Sequence, residues 1–538
     1  MKLGITIAIV LSSLYGFSQE NVFGLFKSDA ALAISAYNSK NYAKAIPLFN
    51  DALAKRPGDK RLLLHLARSF YALKEYDKAV ESYRRSSTDL TQLSYDDLFA
   101  LAESFASTQN YTRAAECYRE CLKARPGDRL LMKKIWQLDN IQNLFEDSAH
   151  FTLEPLSINS TAGELAALPY HEGIAFVSNQ DQSELIEKRN ATTGSSFYKI
   201  FHARTSYDTI AGTLYLRFED VEPTAGLESK WQSGSVSFFD NETKAVFATS
   251  SPKASAGGTR HLQLLFAEKK NNHWKVFESF PYNSSEYSNT DPTINEDGTL
   301  LYFSSDMKNG FGGKDLYKSE KVSGKWTPPE NLGEAINTRC DEVFPFLHNS
   351  NALYFSSNGL AGLGGLDIYK AVIYPEGIGE PVNVGFPVNS SWDDFAIYID
   401  SLSESGFVSS NRANGGYDDD IYALSMDLQT YPVTVAGTIK LKEHTWSDSS
   451  ELKPMPHARL KLVDTYRSAS VYEGTTDREG NFSVVIPYFS KYILRIEGLE
   501  NDEHVAVMEI PKERKESSDY QIVVISDLFK SQRKDDPK

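Results

Sequence analysis

The run LYFSSDMKNGFGGKDLY occupies residues 301–317, and its reading decides most of the fold. LYFSSN returns at 353–358, 52 residues later, and GFVSSN at 406–411, 53 residues after that. Behind each copy comes a Gly-rich turn and then DLY (315–317), DIY (367–369) and DIY (420–422). Ahead of each stands an acidic start: Asp291-Pro292, Asp341-Glu342 and Asp393-Asp394. Weaker copies are VFATSS (246–251) and IAFVSN (174–179). A unit of about 50 residues built only from short alternating strands cannot bury both its faces alone. Such units stack around an axis as a β-propeller. Five blades are expected over residues 151–428, with six as the alternative because 180–245 diverges from the pattern.

The glycine-rich turns NGFGGKD (309–315) and NGLAGLGGLD (358–367) invite a phosphate-loop reading. They lack the GxxxxGK[ST] spacing and lead into strands, so blade hairpins explain them better. Asp315, Asp367 and Asp420 recur in phase with the fold, which points to bonding of turn amides. The YDDDIY run (417–422) carries enough oxygens for Ca²⁺ as a lesser reading. Tyr302, Phe303, Tyr354 and Phe355 tempt a glycan-binding reading, but strand centres favour core packing.

Upstream the period changes. NYAKAIPLF (41–49), EYDKAVESY (75–83) and NYTRAAECY (110–118) are related by shifts of 34 and 35 residues. Tyr42, Tyr76 and Tyr111 match, as do Ala45, Ala79 and Ala114, and then Phe49, Tyr83 and Tyr118. RPGD occurs at 56–59 and again at 125–128. Small residues let helix axes approach, aromatics fill the gaps, and Pro ends the second helix of a unit. This 34-residue pattern over 22–150 resembles the tetratricopeptide repeat, with a capping helix in 129–148. Three units suffice for a continuous core. The resemblance implies a concave face that takes peptides or partner proteins. By position that face would include Lys27, Tyr37, Arg61, Arg68, Tyr71, Phe99 and Glu103.

Beyond the blades, TVAGTIKLK (434–442), HARLKLVD (457–464), TTDREGNFSVVIP (475–487), YILRIEG (492–498), VAVMEIP (505–511) and YQIVVIS (520–526) read as six or seven short strands. A small β-sandwich is expected over 430–528. It is similar to the carboxypeptidase regulatory-like, transthyretin-like domain. The charged tail 529–538 follows.

The 538 residues carry 56 basic and 72 acidic side chains, a net charge of −16. The balance is uneven: residues 19–150 are near neutral at +2, and 151–538 stand at −19. Nucleic-acid binding is not expected, because phosphate neutralisation needs clustered Lys and Arg. The opening MKLGITIAIVLSSLYGFSQE reads as a signal peptide over 1–18, with Lys2, an apolar core, and small Gly16 and Ser18 before a cut at Gln19. The apolar run is too short for a bilayer span. Three cysteines, Cys117, Cys121 and Cys340, make no disulfide framework and no zinc spacing, so no metal or cofactor is expected.

No GxSxG, HExxH or Ser-x-x-Lys constellation is present. His65, His171, His261 and His348 are scattered, and Asp393 and Asp394 would face opposite ways on a strand. The chain is therefore expected not to be an enzyme. The order of leader, helical repeats, TolB-like propeller and regulatory-like sandwich resembles a modular envelope protein family of Bacteroidota. Members commonly carry an OmpA-like module, and some are linked to type IX secretion and gliding. No such module is seen here, so wall binding is not implied. The resemblance implies a periplasmic interaction scaffold whose partners are envelope or outer-membrane proteins. The alternatives are binding of a glycan or peptidoglycan fragment, and a hydrolase with an unrecognised site.

Overall fold

The computed structural model describes residues 28–526 apart from short gaps, the longest at 181–188, 427–432, 444–452 and 510–517. The expected signal peptide, Lys27 and the 529–538 tail lie outside the described residues. Two compact units emerge. The helices and propeller, to Ser425, form one, and the chain from Met426 onward forms the other.

Among the described residues, seven α-helices come first in this unit: α1 Asp29–Asn38, α2 Tyr42–Lys55, α3 Lys60–Ala72, α4 Tyr76–Ser86, α5 Tyr95–Ser107, α6 Tyr111–Ala124 and α7 Arg129–Asp139. Their starts follow from capping side chains. Asn41, Asp59, Ser94, Asn110 and Asp128 each accept a backbone N–H of the following first turn. The two RPGD copies thus stop one helix with Pro and cap the next with Asp. Within each repeat the turn residue, Lys40, Lys74 or Gln109, takes a positive φ of 55°, 62° or 59°. The next N–H then bonds back to Ala36, Phe70 or Phe105 across the helix end, at 2.9, 2.9 and 2.8 Å. The in-phase residues are the most buried. Ala45, Ala79 and Ala114 have no exposed surface, and Phe49, Tyr83 and Tyr118 expose 2% or less.

Five sheets follow. Blade one holds Glu164–Tyr170, Gly173–Ser178, Lys199–Ile210 and Thr213–Pro223. Blade two holds Ser233–Phe239, Lys244–Ser250, Leu262–Lys270 and His273–Ser279. Blades three and four run from Asn289–Ile294 to Glu330–Asn331 and from Glu342–His348 to Val382–Asn383, each with a split outer strand. Blade five contains Asp394–Ile399, Ser405–Ser410 and Asp420–Met426, and takes Phe151–Pro155 as its outermost strand. Blade five packs on blade one, so the ring closes, and a strand from before blade one completes the last blade. Among the described residues the count is five. Within the divergent stretch 180–245, Lys199–Ile210 and Thr213–Pro223 form the long outer hairpin of blade one, and Ser233–Phe239 opens blade two.

Blade chemistry repeats with the sequence. Asp315 accepts the amides of Phe311 (2.6 Å) and Gly312 (3.3 Å), and Asp367 those of Leu363 and Gly364 (both 3.1 Å). Asp341 and Asp393 reach across to the previous blade and take the amides of Lys314 and Leu366, each at 2.8 Å. The glycine-rich loops are therefore carboxylate-pinned turns. Gly312 is required by contact, since a Cβ there would lie 2.2 Å from the Arg339 carbonyl carbon. Tyr302, Phe303, Tyr354 and Phe355 expose 3% or less and belong to the core.

The second unit stacks two four-stranded sheets. One joins Lys453–Pro454, Val433–Glu443, Asn481–Ile486 and Ser518–Ser526, and the other Ser470–Thr475, Arg459–Asp464, Lys491–Glu497 and Glu503–Glu509. Alternating residues fill the core between them: Val435, Ile439, Leu460, Leu462, Phe482, Val484, Ile486, Leu494 and Ile496. Ser518–Ser526 pairs parallel to Val433–Glu443, a register that alternation in the sequence does not reveal.

Candidate partner-binding groove and the helix–propeller interface

The residues expected on the concave face separate into two clusters. The first surrounds His65. Tyr37 meets its ring edge-on at 4.8 Å, Phe49 stacks behind it at 5.9 Å, and the Arg61 and Arg68 charges act on it. Burial, reinforced by those two cations, lowers the His65 pKa. Arg61 is exposed and has no ion pair among the described residues. Arg68 is committed to the fold: its Nε and Nη2 hold both oxygens of the buried Asp97 at 2.7 and 2.8 Å. Tyr83 adds a hydroxyl to the same carboxylate at 3.4 Å.

The second cluster, Tyr71, Phe99 and Glu103, faces the chain's own propeller. Glu103 is 3% exposed. It accepts from Lys134 Nζ of α7 at 3.0 Å and from the Tyr118 hydroxyl. Lys134, itself buried, also donates to the Asn358 carbonyl of blade four at 3.2 Å. Phe99 lies under the Arg339 guanidinium at 4.5 Å from its ring centre, with Tyr95 at 5.1 Å. Arg339 Nη1 donates to Asp128 Oδ2 at 2.8 Å, while the other oxygen of Asp128 caps α7. Tyr71 is half-buried. Burial first, and the nearby Glu103 and Cys340 next, push its hydroxyl well up.

The repeat turns complete the interface. Lys74 Nζ pairs with the buried Asp393 at 2.5 Å, Gln109 bonds Ser391 at 3.2 Å, and Tyr76 packs by Trp392. Lys133 of α7 meets Glu380 at 3.3 Å. Sequence reasoning missed Lys74, Gln109, Asp128, Lys134 and Arg339. The one available signal was the phase of Lys74 and Gln109 at the repeat turn. Nothing local marks their partners, some 280–320 residues away in sequence.

Cys117 and Cys121 are buried thiols and Cys340 a half-buried one, all unpaired, and burial pushes each up to about 12. No cluster of three metal-ligating side chains exists among the described residues. No helix there is long and apolar enough to cross a membrane.

Residues 30–88 and 98–128 match two tetratricopeptide-repeat family models. These repeats imply protein partners. No curated protein sequence matches the chain. Among solved structures, a protein of unknown function from Dyadobacter fermentans is similar at 10% identity, TM-score 0.32, covering 52% of this chain and 98% of that one. Sucrose-6-phosphate hydrolase from Lactobacillus gasseri is similar at 12% identity, TM-score 0.32, covering 70% and 92%. A GH43_1 enzyme from Xanthomonas citri is similar at 12% identity, TM-score 0.33, covering 54% and 94%. The expectation that the chain is not an enzyme is corrected here. The solved chains it matches are mostly glycoside hydrolases, with a mannose phosphorylase among them, so a hydrolase reading stays open. At TM-scores of 0.29–0.33 the likeness assigns no activity to this chain.

Proposed function

We propose that this chain is an exported envelope protein that captures partner proteins through the open half of its helical groove. The observation that carries the reading is the Tyr37–His65–Arg61 cluster on a tetratricopeptide array. An exposed cation beside a half-buried aromatic edge suits an acidic or aromatic peptide segment. Arg68 shapes this surface through Asp97. The propeller holds the array in place and adds loop surface of its own. The partners are proposed to be periplasmic or outer-membrane proteins, with the type IX secretion and gliding apparatus the first place to look.

The test is affinity capture from envelope fractions with the full chain as bait, alongside Arg61→Glu and Tyr37→Ala. Specific proteins recovered by the wild type and lost with Arg61→Glu are the expected result. Recovery of none, or equal recovery by all three baits, would overturn it.

A further inference from the structure

One junction of the helical array departs from the others. RPGD turns at 56–59 and 125–128 link α2 to α3 and α6 to α7, whereas α4 stops at Ser86 and α5 starts only at Tyr95. α4 has 11 residues against 14 in α2 and in α6, so its last turn is missing. Leu53 and Leu122 hold equivalent places in that turn and pack in the core of the array. Their counterpart is Ser87, which lies beyond the end of α4. A cavity of about 190 Å³ remains there, walled by α4, α5, α6 and the loop that replaces the missing turn.

The wall of this cavity is apolar and its rim is cationic. Leu101, Phe105 and Cys117 form the wall, and each exposes 7% or less. Arg84, Ser87 and Arg113 also line it and reach the surface. Arg113 is already paired, since its Nη1 donates to Glu116 at 2.6 Å. Arg84 is exposed and has no ion pair or hydrogen bond among the described residues. The next repeat shows what an arginine at this place takes. Arg119 stands in phase with Arg84, and its Nη2 holds both oxygens of Asp139 of α7 at 2.7 and 2.8 Å. The α5 residue in phase with Asp139 is Phe105. An apolar wall therefore stands where Arg84 would meet a carboxylate.

We propose that this cavity binds a ligand in which one ring-sized apolar group carries a carboxylate. The apolar group fills the place of the missing leucine against Leu101 and Phe105, and the carboxylate pairs with Arg84. A guanidinium fork matches a planar carboxylate, and a bond between two charged groups is stronger than a neutral one. The volume sets the size of the occupant: sites for drug-sized ligands start at about 300 Å³, so this one takes a single group. A free aryl acid and the carboxyl-terminal phenylalanine of a peptide share that chemistry. The cavity is built on α4, α5 and α6, away from the Tyr37–His65–Arg61 cluster of the first two repeats, and it does not rest on the capture of partners there.

The experiment uses the full chain and ligand-observed NMR titration with hydrocinnamate, its neutral analogue hydrocinnamyl alcohol, and the peptide acetyl-glycyl-phenylalanine as acid and as amide. Hydrocinnamate should bind with a dissociation constant on the order of a millimolar, as expected of so small a ligand. The alcohol should bind roughly tenfold more weakly, and Arg84→Ala should weaken the acid roughly tenfold while leaving the alcohol unchanged. Ser87→Leu, which restores the in-phase leucine, should abolish binding of both. A peptide acid that binds more tightly than hydrocinnamate, with its amide weak, assigns the site to a carboxyl terminus; the reverse order assigns it to a free acid. No binding of either acid, equal binding of acid and alcohol, or an Arg84→Ala chain that binds as the wild type does would overturn the proposal. Arg84→Ala changes an exposed side chain and decides the matter alone should Ser87→Leu lose its helical circular dichroism.

Discussion

Asp128 does two jobs with two oxygens, and substitutions can separate them. One oxygen caps α7 by accepting the Leu131 amide at 3.1 Å, and the other pairs with Arg339 at 2.8 Å. Asn caps as well as Asp, whereas Ala loses the cap at a cost of about 1 kcal/mol. The ion pair is partly shielded, with side-chain exposures of 25% and 16%. Its loss should cost about 1 kcal/mol, at the upper end for exposed pairs and below the cost of breaking a buried one. Asp128→Asn is therefore expected to cost about 1 kcal/mol and Asp128→Ala about 2 kcal/mol. The assay is hydrogen exchange of the α7 amides in the full chain, where local opening reports these energies. Exchange should rise roughly fivefold for Asn and roughly thirtyfold for Ala, since about 1.4 kcal/mol is tenfold. In the Arg339→Ala background, Asp128→Asn should change little, leaving a coupling of about 1 kcal/mol. Equal effects of Asn and Ala, or full additivity with Arg339→Ala, would refute the division of labour.

Three more outcomes are expected. Arg68→Ala should cost about 3 kcal/mol by urea denaturation, because it leaves the buried Asp97 uncompensated; Arg61→Ala should stay within about 0.5 kcal/mol, so equal costs would contradict the two roles. Gly312→Ala forces a Cβ against the Arg339 backbone at 2.2 Å, while Gly58 has nothing within 4 Å; the first should lower the urea midpoint by an amount worth about 2 kcal/mol and the second should not. His348 is held down to about 4 chiefly by burial, so its contribution is present above the unfolded value near 6.5 and is lost as pH falls from there to about 4. His348→Phe should flatten the fall in stability across that window, by up to about 3 kcal/mol; parallel wild-type and variant curves would contradict the assignment.

The helical repeats were legible because the residues that keep the 34-residue phase are the ones with no exposed surface. Ala45, Ala79 and Ala114 could hardly be anything larger where helix axes touch. The blades were legible for the same reason: Asp315 and Asp367 recur because each pins its own turn. What stayed hidden is contact between the two periodic systems. Arg339 and Asp128 are 211 residues apart, and neither residue breaks its local pattern. Glu103 illustrates the consequence. Its helical position places it on the groove, yet it is buried against Lys134 of α7, which in turn donates to a carbonyl of blade four. The strand Phe151–Pro155 was equally silent, since ring closure by an early segment leaves no repeat signature. The split of the six described candidate residues into an open trio and a covered trio is therefore a tertiary fact.

The account stands on the third repeat and its capping helix being seated on the chain's own propeller. Zero-length carbodiimide coupling of the full chain, read by mass spectrometry, tests this directly. Lys133 and Glu380 lie 3.3 Å apart with side chains 66% and 73% exposed, so both are reachable by the reagent. An amide bond joining the Lys133 peptide of α7 to the Glu380 peptide of blade four is the predicted product. Coupling confined within the helices and within the blades, with no bond between them, would contradict the interface and everything built on Arg339.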